Sequence, residues 1–258
     1  QGAGRENFLT FVRTMWSSFI EGAHHRIMCE QFNKIAKGEL KRVIINMAPR
    51  HSKSEMSSYM LPSWLLGIRP DLKIIQATHT GELAVRFGRK VRDLVDTREY
   101  KEIFPNVSLR ADSKAAGRWE TTEGGEYFAS GVGGAITGRG ADILIIDDPH
   151  SEQDALSETA MEMAYEWYTS GPRQRLQPGG VIILVMTRWS KKDLTGQLLK
   201  AQMSDLKADK WELIEFPAIM PSGKPVWEEF WKIEELEGIR ASLPHSKWSA
   251  QWLSLIHI

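Results

Sequence analysis

Short, unbroken apolar runs recur through this chain, and they narrow the folds open to it more than any other feature. They are RVIINM (42–47), KIIQAT (73–78), DILIIDD (142–148), GVIILVMTRW (180–189) and WELIEFPAI (211–219). A strand with one wet face alternates apolar and polar side chains, whereas a strand covered on both faces does not. Stretches of helical period separate the runs. Strand–helix alternation of this kind predicts a three-layer α/β fold, with a mostly parallel central sheet flanked by helices.

The intervening text fits that expectation. Residues 5–38 read as helices, FLTFVRTMWSSFI being aromatic and HHRIMCEQFNKIAKGEL amphipathic. A helix should begin at about Ser54, kinked or divided by Pro62. Thr80 is placed to cap the next helix, with Glu82 at its positive end. Ala84, Phe87, Val91, Leu94 and Val95 fall on one face of it, with Arg86, Arg89, Lys90 and Arg92 mostly off that face. RWETTEGGEYFASGV (118–132) reads as a hairpin about Gly124-Gly125. Further helices are expected over 154–169, closed by Gly171-Pro172, and near 192–202. The organisation expected is a helical region at 1–38, a core at 39–220, and a linker-like, Pro-, Trp- and Glu-rich segment at 221–258. The closing LSLIHI carries no reading.

Composition bounds the function without choosing it. The 258 residues are 42% apolar and 26% charged, as in an ordinary globular chain. Formal net charge is zero, so any nucleic-acid contact must come from a local patch. The single cysteine, Cys29, excludes a disulfide framework and a cysteine zinc site, and fits a reducing cytosol. No apolar run nears the roughly 20 residues of a membrane span, and the start of the chain lacks a signal-peptide core.

In open parallel sheets ligands sit beyond the C-terminal strand ends. That rule selects 48–54, 147–150 and 187–189. At the first, RVIINMAPRHSKSE reads strand, tight loop, helix start, with Lys53 and Ser54 opening the helix. A nucleoside triphosphate needs backbone N–H groups around its phosphates, a lysine that reaches the β- and γ-phosphates, and a hydroxyl for Mg²⁺. It also needs a carboxylate at the end of a second strand to hold the metal shell and orient water. Asp147 and Asp148, after four apolar residues, supply that pattern: Asp147 for the Mg²⁺ shell, Asp148 for the catalytic acid. The phosphate-loop pattern G-x-x-x-x-G-K-[ST] wants glycine where Met47 and Ser52 stand. A Lys-Ser pair after a strand is common, and Ile-Ile-Asp-Asp-Pro alone could be a solvated strand end with a turn. Together, about 95 residues apart and both at strand ends, they point to nucleotide binding. Ser52, where close phosphate approach or φ > 0 favours glycine, predicts a strained residue or a rearranged loop.

INMAPRHSKSE, then YMLPSWLLGIRPDLKIIQATHTGELAVRFGRKVRDLV, GVGGAITGRGADILIIDDP and VIILVMTRWSKKDLTGQLL together resemble the large terminase subunit of tailed bacteriophages. The likeness runs over roughly residues 20–220. It implies a P-loop NTPase of the RecA-like, ASCE type, driven by ATP and Mg²⁺, that pumps double-stranded DNA into a procapsid. It implies a ring of identical subunits, a pentamer on the portal protein, working with a small terminase subunit in the host cytoplasm. A nuclease half, similar to RNase H, cuts the DNA in that family, and 221–258 resembles only the segment leading to it.

The resemblance also implies roles by position. Pro49, Arg50, His51, Ser52, Lys53 and Ser54 would form the phosphate loop, and Asp147 and Asp148 match the paired acids. The family commonly has Glu at the second, which leaves Glu152 and Glu158 as alternatives to Asp148. Thr187, in MTRW, matches the motif that couples hydrolysis to movement; read alone it is a strand-end hydroxyl closing a turn. Arg139, in a glycine-flanked loop, matches a finger that acts on the neighbouring subunit's ATP; read alone it is a solvated loop arginine. DNA-contacting residues are not assigned: Arg86, Arg89, Lys90 and Arg92, or Lys191 and Lys192, read more simply as solvated helix faces. The tryptophans read as core or interface. The competing readings are a helicase-type RecA-like ATPase and a non-hydrolysing nucleotide-binding assembly module.

Overall fold

The computed structural model describes residues 2–136 and 138–256. Its strands are β1 (Arg42–Met47), β2 (Lys73–Thr78), β3 (Leu109–Ala115), β4 (Arg118–Thr121), β5 (Glu126–Gly131), β6 (Ala141–Asp147), β7 (Leu176–Met186) and β8 (Glu212–Phe216). They form one sheet in the order β3-β4-β5-β2-β6-β7-β1-β8. The pairings from β5 to β8 are parallel, and β3 and β4 extend the sheet antiparallel. β7 is therefore a strand inserted between β1 and β6. The hairpin about Gly124-Gly125 is present as β4 and β5. β3, mostly exposed, was not expected: LRADSKA is charged and carries no apolar period. A charged edge strand of this kind discourages pairing with other chains.

The apolar runs are buried on both faces, as their lack of alternation requires. Val43, Ile45, Ile143, Ile145, Val181, Ile183 and Val185 face one core cluster. Their neighbours Ile44, Leu144, Ile146, Ile182, Leu184 and Met186 face the other. The first cluster is covered by α2 (Phe8–Met15), α3 (Ala23–Ala36), α4 (Leu61–Ile68), α5 (Gly81–Val95) and α6 (Arg98–Ile103), with α1 (Gly2–Glu6) at its rim. The second lies under α7 (Glu158–Ser170) and α9 (Leu194–Ser204), with the short α8 (Pro172–Arg175) between them in the chain. Thr80 caps α5 through its side chain, which accepts from Leu83 N. Ala84, Val91, Leu94 and Val95 are buried and Phe87 is half-buried. Gly88 lets that helix meet the sheet extension, since a Cβ there would stand 2.3 Å from the Ala116 carbonyl.

The helix expected from Ser54 is divided as Pro62 requires. Glu55–Met60 is a π-helical turn, and α4 follows. Pro62 has no N–H for the Ser58 carbonyl, and its ring crowds that carbonyl. Widening one turn relieves the crowding.

Residues 221–256 are more than a linker in form. They carry α10 (Ile233–Ser242) and α11 (His245–Leu253). Leu236, Trp248 and Trp252 form a third cluster with Ala48 and Ala218, and Ala218 N donates to the Trp252 carbonyl. No strand signal was read in this stretch, and none is present in it. Its tryptophans found partners on the loop after β1. The last two residues of LSLIHI lie outside the described residues. Among the described residues no helix is long and apolar enough to cross a membrane.

Candidate functional site

The site forms at the C-terminal ends of β1, β7 and β6. Residues 48–54 leave β1 and turn into the π-helical turn. Arg50 and Ser52 have φ of 58° and 73°, so the loop passes twice through the left-handed region. Backbone of that kind, leading into a helix start, is the material of anion-binding concavities. Ser52 is thus a strained residue, as its place in the pattern predicts. Ser52→Gly should raise stability by about 1 kcal/mol, the usual penalty for a left-handed L-residue. It should lift the melting temperature by about 2–4 °C and leave nucleotide binding intact. A lower melting temperature would show that the Ser52 side chain supplies more than the strain costs.

Lys53 and Asp148 meet across the inserted strand: Lys53 Nζ stands 2.6 Å from Asp148 Oδ2, and the lysine is 8% exposed. Burial pulls the Lys53 pKa down, but Asp148 and Asp147 outweigh it and hold it above the usual lysine value. Asp148 also has a positive φ, 43°. Its carbonyl accepts from His79 N at 3.2 Å, which ties the end of β6 to the end of β2. Its Oδ1 accepts from Thr187 N at 3.0 Å.

Asp147 lies deeper, 1% exposed. Its Oδ2 accepts from Ser58 Oγ at 2.8 Å, and its Oδ1 is buried without a hydrogen-bond partner. Burial, then Asp148, push its pKa up to about 6, while Lys53, Ser58 and Ser54 hold it back. Among the described residues no three His, Cys, Asp or Glu side chains cluster as a metal cage. Mg²⁺ does not need one: it takes one or two carboxylates, phosphates and water. The orphaned Asp147 Oδ1, with the Ser54 hydroxyl nearby, fits such a partial shell.

Thr187 directly follows β7, between the two halves. Its hydroxyl donates to the Met47 carbonyl at 3.1 Å while its N–H holds Asp148. It therefore joins the end of β1, where the 48–54 loop begins, to Asp148. Glu152, ahead of α7, and Glu158, its first residue, are exposed, and it is Asp148 that engages Lys53.

Arg139 is elsewhere. It sits two residues before β6, so roughly 25 Å of strand, at about 3.3 Å per residue, separates it from Asp147. It is 18% exposed, ion-paired with Glu126 at the start of β5, and lies 4.2 Å from the Phe128 ring centre. It is not a solvated loop arginine, and it is at the opposite end of the sheet from Lys53 of its own chain.

A buried brace under the loop had no signal in the sequence. His51 Nδ1 donates to the Pro49 carbonyl, and His24 Nε2 on α3 donates to the His51 carbonyl at 3.0 Å. Trp231 Nε1 donates to the Arg50 carbonyl, and the Trp231 ring stacks on His51. Burial pulls His24 and His51 down to about 4, so the brace is uncharged at neutral pH. These residues are far apart in sequence, which is why no local motif marks them. Of the basic candidates, Arg86, Arg89, Lys90 and Lys191 are exposed, Arg92 pairs with Asp93, and Lys192 with Glu162. Trp211, Trp227, Trp248 and Trp252 are buried.

No protein-family model matches the chain, and no curated protein sequence matches it. Solved structures do share its architecture. The HK97 bacteriophage large terminase superposes with a TM-score of 0.61 at 12% identity, over 99% of this chain and 56% of that one. The fold is that of a phage large-terminase ATPase domain. The Thermus phage P74-26 large terminase ATPase domain gives 0.53 at 15% identity, over 83% of this chain and 87% of that one. A large terminase from a thermophilic bacteriophage, in complex with ADP, gives 0.52 at 10% identity, over 87% and 53%. The chain thus spans a little over half the length of the HK97 large terminase. At these identities the likeness is one of fold, the RecA-like terminase ATPase fold that the sequence predicted.

Proposed function

We propose that this chain is the ATP-hydrolysing motor domain of a DNA-packaging terminase. The observation that carries the proposal is the Lys53–Asp148 ion pair, closed across β7 beside the partly unpartnered Asp147. Lys53 is held where an incoming triphosphate can draw it off Asp148. Released from that pair, Asp148 keeps its Thr187 N–H contact and is free to orient a water. The water's oxygen forms a bond to the γ-phosphorus as the bridging β–γ P–O bond breaks. ADP and phosphate leave, and the water's proton passes to Asp148 or to solvent. Ser54 and Asp147 would hold Mg²⁺, which neutralises the phosphates. A cleft of about 460 Å³ beside the loop, lined by Trp16, Ile20, Arg50, Trp227 and Phe230, is large enough for the base. Thr187 carries the change at Asp148 back to the end of β1.

In this reading subunits form a pentameric ring on the portal around double-stranded DNA, with the small terminase subunit, in the host cytoplasm. Arg139 acts on the neighbour. The test is phosphate release by the chain with ATP and Mg²⁺, alone and assembled on portal and duplex DNA. Weak turnover alone and strong stimulation on assembly are expected. Tight ATP binding with no phosphate release in either state would favour the assembly module. Stimulation by single strands with unwinding would favour a helicase-type ATPase.

A further inference from the structure

KIIQAT contains a polar residue where its neighbours say none belongs. Gln76 lies in β2, between β5 and β6, and is fully buried. A buried amide costs stability unless it is bonded. Places where a sequence breaks its own local rule are often functional. Gln76 shares the face of Ile74, and Asp147 that of Ile143 and Ile145, so both side chains point under the π-helical turn. There Gln76 Nε2 donates to Ser58 Oγ at 3.2 Å, and Ser58 Oγ donates to Asp147 Oδ2 at 2.8 Å. Ser58 is fully buried.

We infer that Ser58 and Gln76 are positioning residues that fix the Asp147 carboxylate through Oδ2 and leave Oδ1 as the metal-binding oxygen. A serine hydroxyl has one hydrogen to give. Gln76, donating to the Ser58 oxygen, leaves that hydrogen for Asp147. Oδ1, buried and without a partner, is then held in one direction. The π-helical turn belongs to the same device. It places Ser58 over the end of β6, and Pro62, four residues on, has no N–H to draw the Ser58 carbonyl into a regular helical turn. Ser54 at the loop and Ser58 one turn later thus both act on the Asp147 carboxylate.

The inference rests on the nucleotide-and-metal reading of the site, and the test separates the two. Mn²⁺ affinity is measured by electron paramagnetic resonance on the full chain with a non-hydrolysable ATP analogue. Binding of the analogue without metal is measured in parallel. Loss of an outer-shell partner typically weakens metal binding about 10- to 100-fold. Ser58→Ala should show a loss of that order, with metal-free analogue binding within about twofold of wild type. Ser58→Thr, which keeps the hydroxyl, should recover most of the affinity. Gln76→Met, of similar volume, should weaken Mn²⁺ in the same direction and supplies the reading if Ser58→Ala folds poorly. Mn²⁺ affinity unchanged in Ser58→Ala and Gln76→Met, while wild type binds metal and analogue, overturns the positioning role alone. Absence of both binding events in wild type overturns the nucleotide reading and this inference with it.

Discussion

Lys53→Ala is expected to abolish ATP turnover, by a factor of at least about 10²–10³, the usual cost of removing one charge-stabilising group from a preorganised site. The expectation follows from where the ammonium sits. It is nearly buried, 2.6 Å from Asp148 Oδ2, at the mouth of a loop that passes twice through positive φ. Removing it takes away the cation that pairs with Asp148 among the described residues, and also the group that the triphosphate would recruit. Asp147 and Asp148 would then repel with less compensation, which raises the already elevated Asp147 pKa further. Lys53→Arg should not rescue turnover, because a planar guanidinium does not replace a compact ammonium in a closed site. Steady-state phosphate release, with analogue binding by calorimetry, checks this. Turnover equal to wild type would sink the phosphate-loop assignment.

Arg139→Ala should leave the slow turnover of the separate chain unchanged and cut that of the assembled ring by about 10³–10⁵, the range of an arginine finger. The geometry sets the sign of both halves. Arg139 and the Asp147 end of β6 are separated by the length of the strand, farther than a side chain spans, so a subunit's own site cannot lose a finger it never had. The guanidinium is instead held by Glu126 and over Phe128, contacts it must leave to engage a neighbour. Mixed rings of Arg139→Ala with Asp148→Asn subunits separate the roles. An intact Arg139 from an Asp148→Asn subunit can serve the intact site of an Arg139→Ala subunit, so partial recovery is expected. No recovery at any ratio would make Arg139 a structural latch on β5.

Much of the fold was readable because its strands lie inside the sheet. RVIINM and DILIIDD face apolar layers on both sides, and that burial leaves a continuous signal in a single sequence. Thr80 and Pro62 act within one turn of their own positions, so the cap and the divided helix could also be anticipated. β3 could not: an exposed edge strand is held by its neighbour's backbone and needs no apolar pattern. The segment after Pro221 was unreadable for a related reason. Its helices are stabilised by Trp248 and Trp252 against Ala48 and Ala218, residues that follow the neighbouring strands β1 and β8, the first of them about 200 positions away in the chain. The same holds at the site. Lys53, Ser54, Asp147 and Asp148 sit at strand ends in local patterns. His24, Ser58 and Gln76 matter only through contacts with residues 18 to 89 positions away.

The sequence alone determined a parallel, doubly covered sheet and marked the two strand ends at which the nucleotide site is proposed, because burial period and strand-end residues are local properties. Only the tertiary structure decided the rest. Placing β7 between β1 and β6 brings Lys53 onto Asp148 and puts Thr187 between them. Running β6 its full length carries Arg139 away from its own site. Packing β2 beside β6 turns a lone glutamine into the support of Asp147. Strand order is set by how helices of given length close over a twisted sheet, a global solution that no single stretch of the chain encodes.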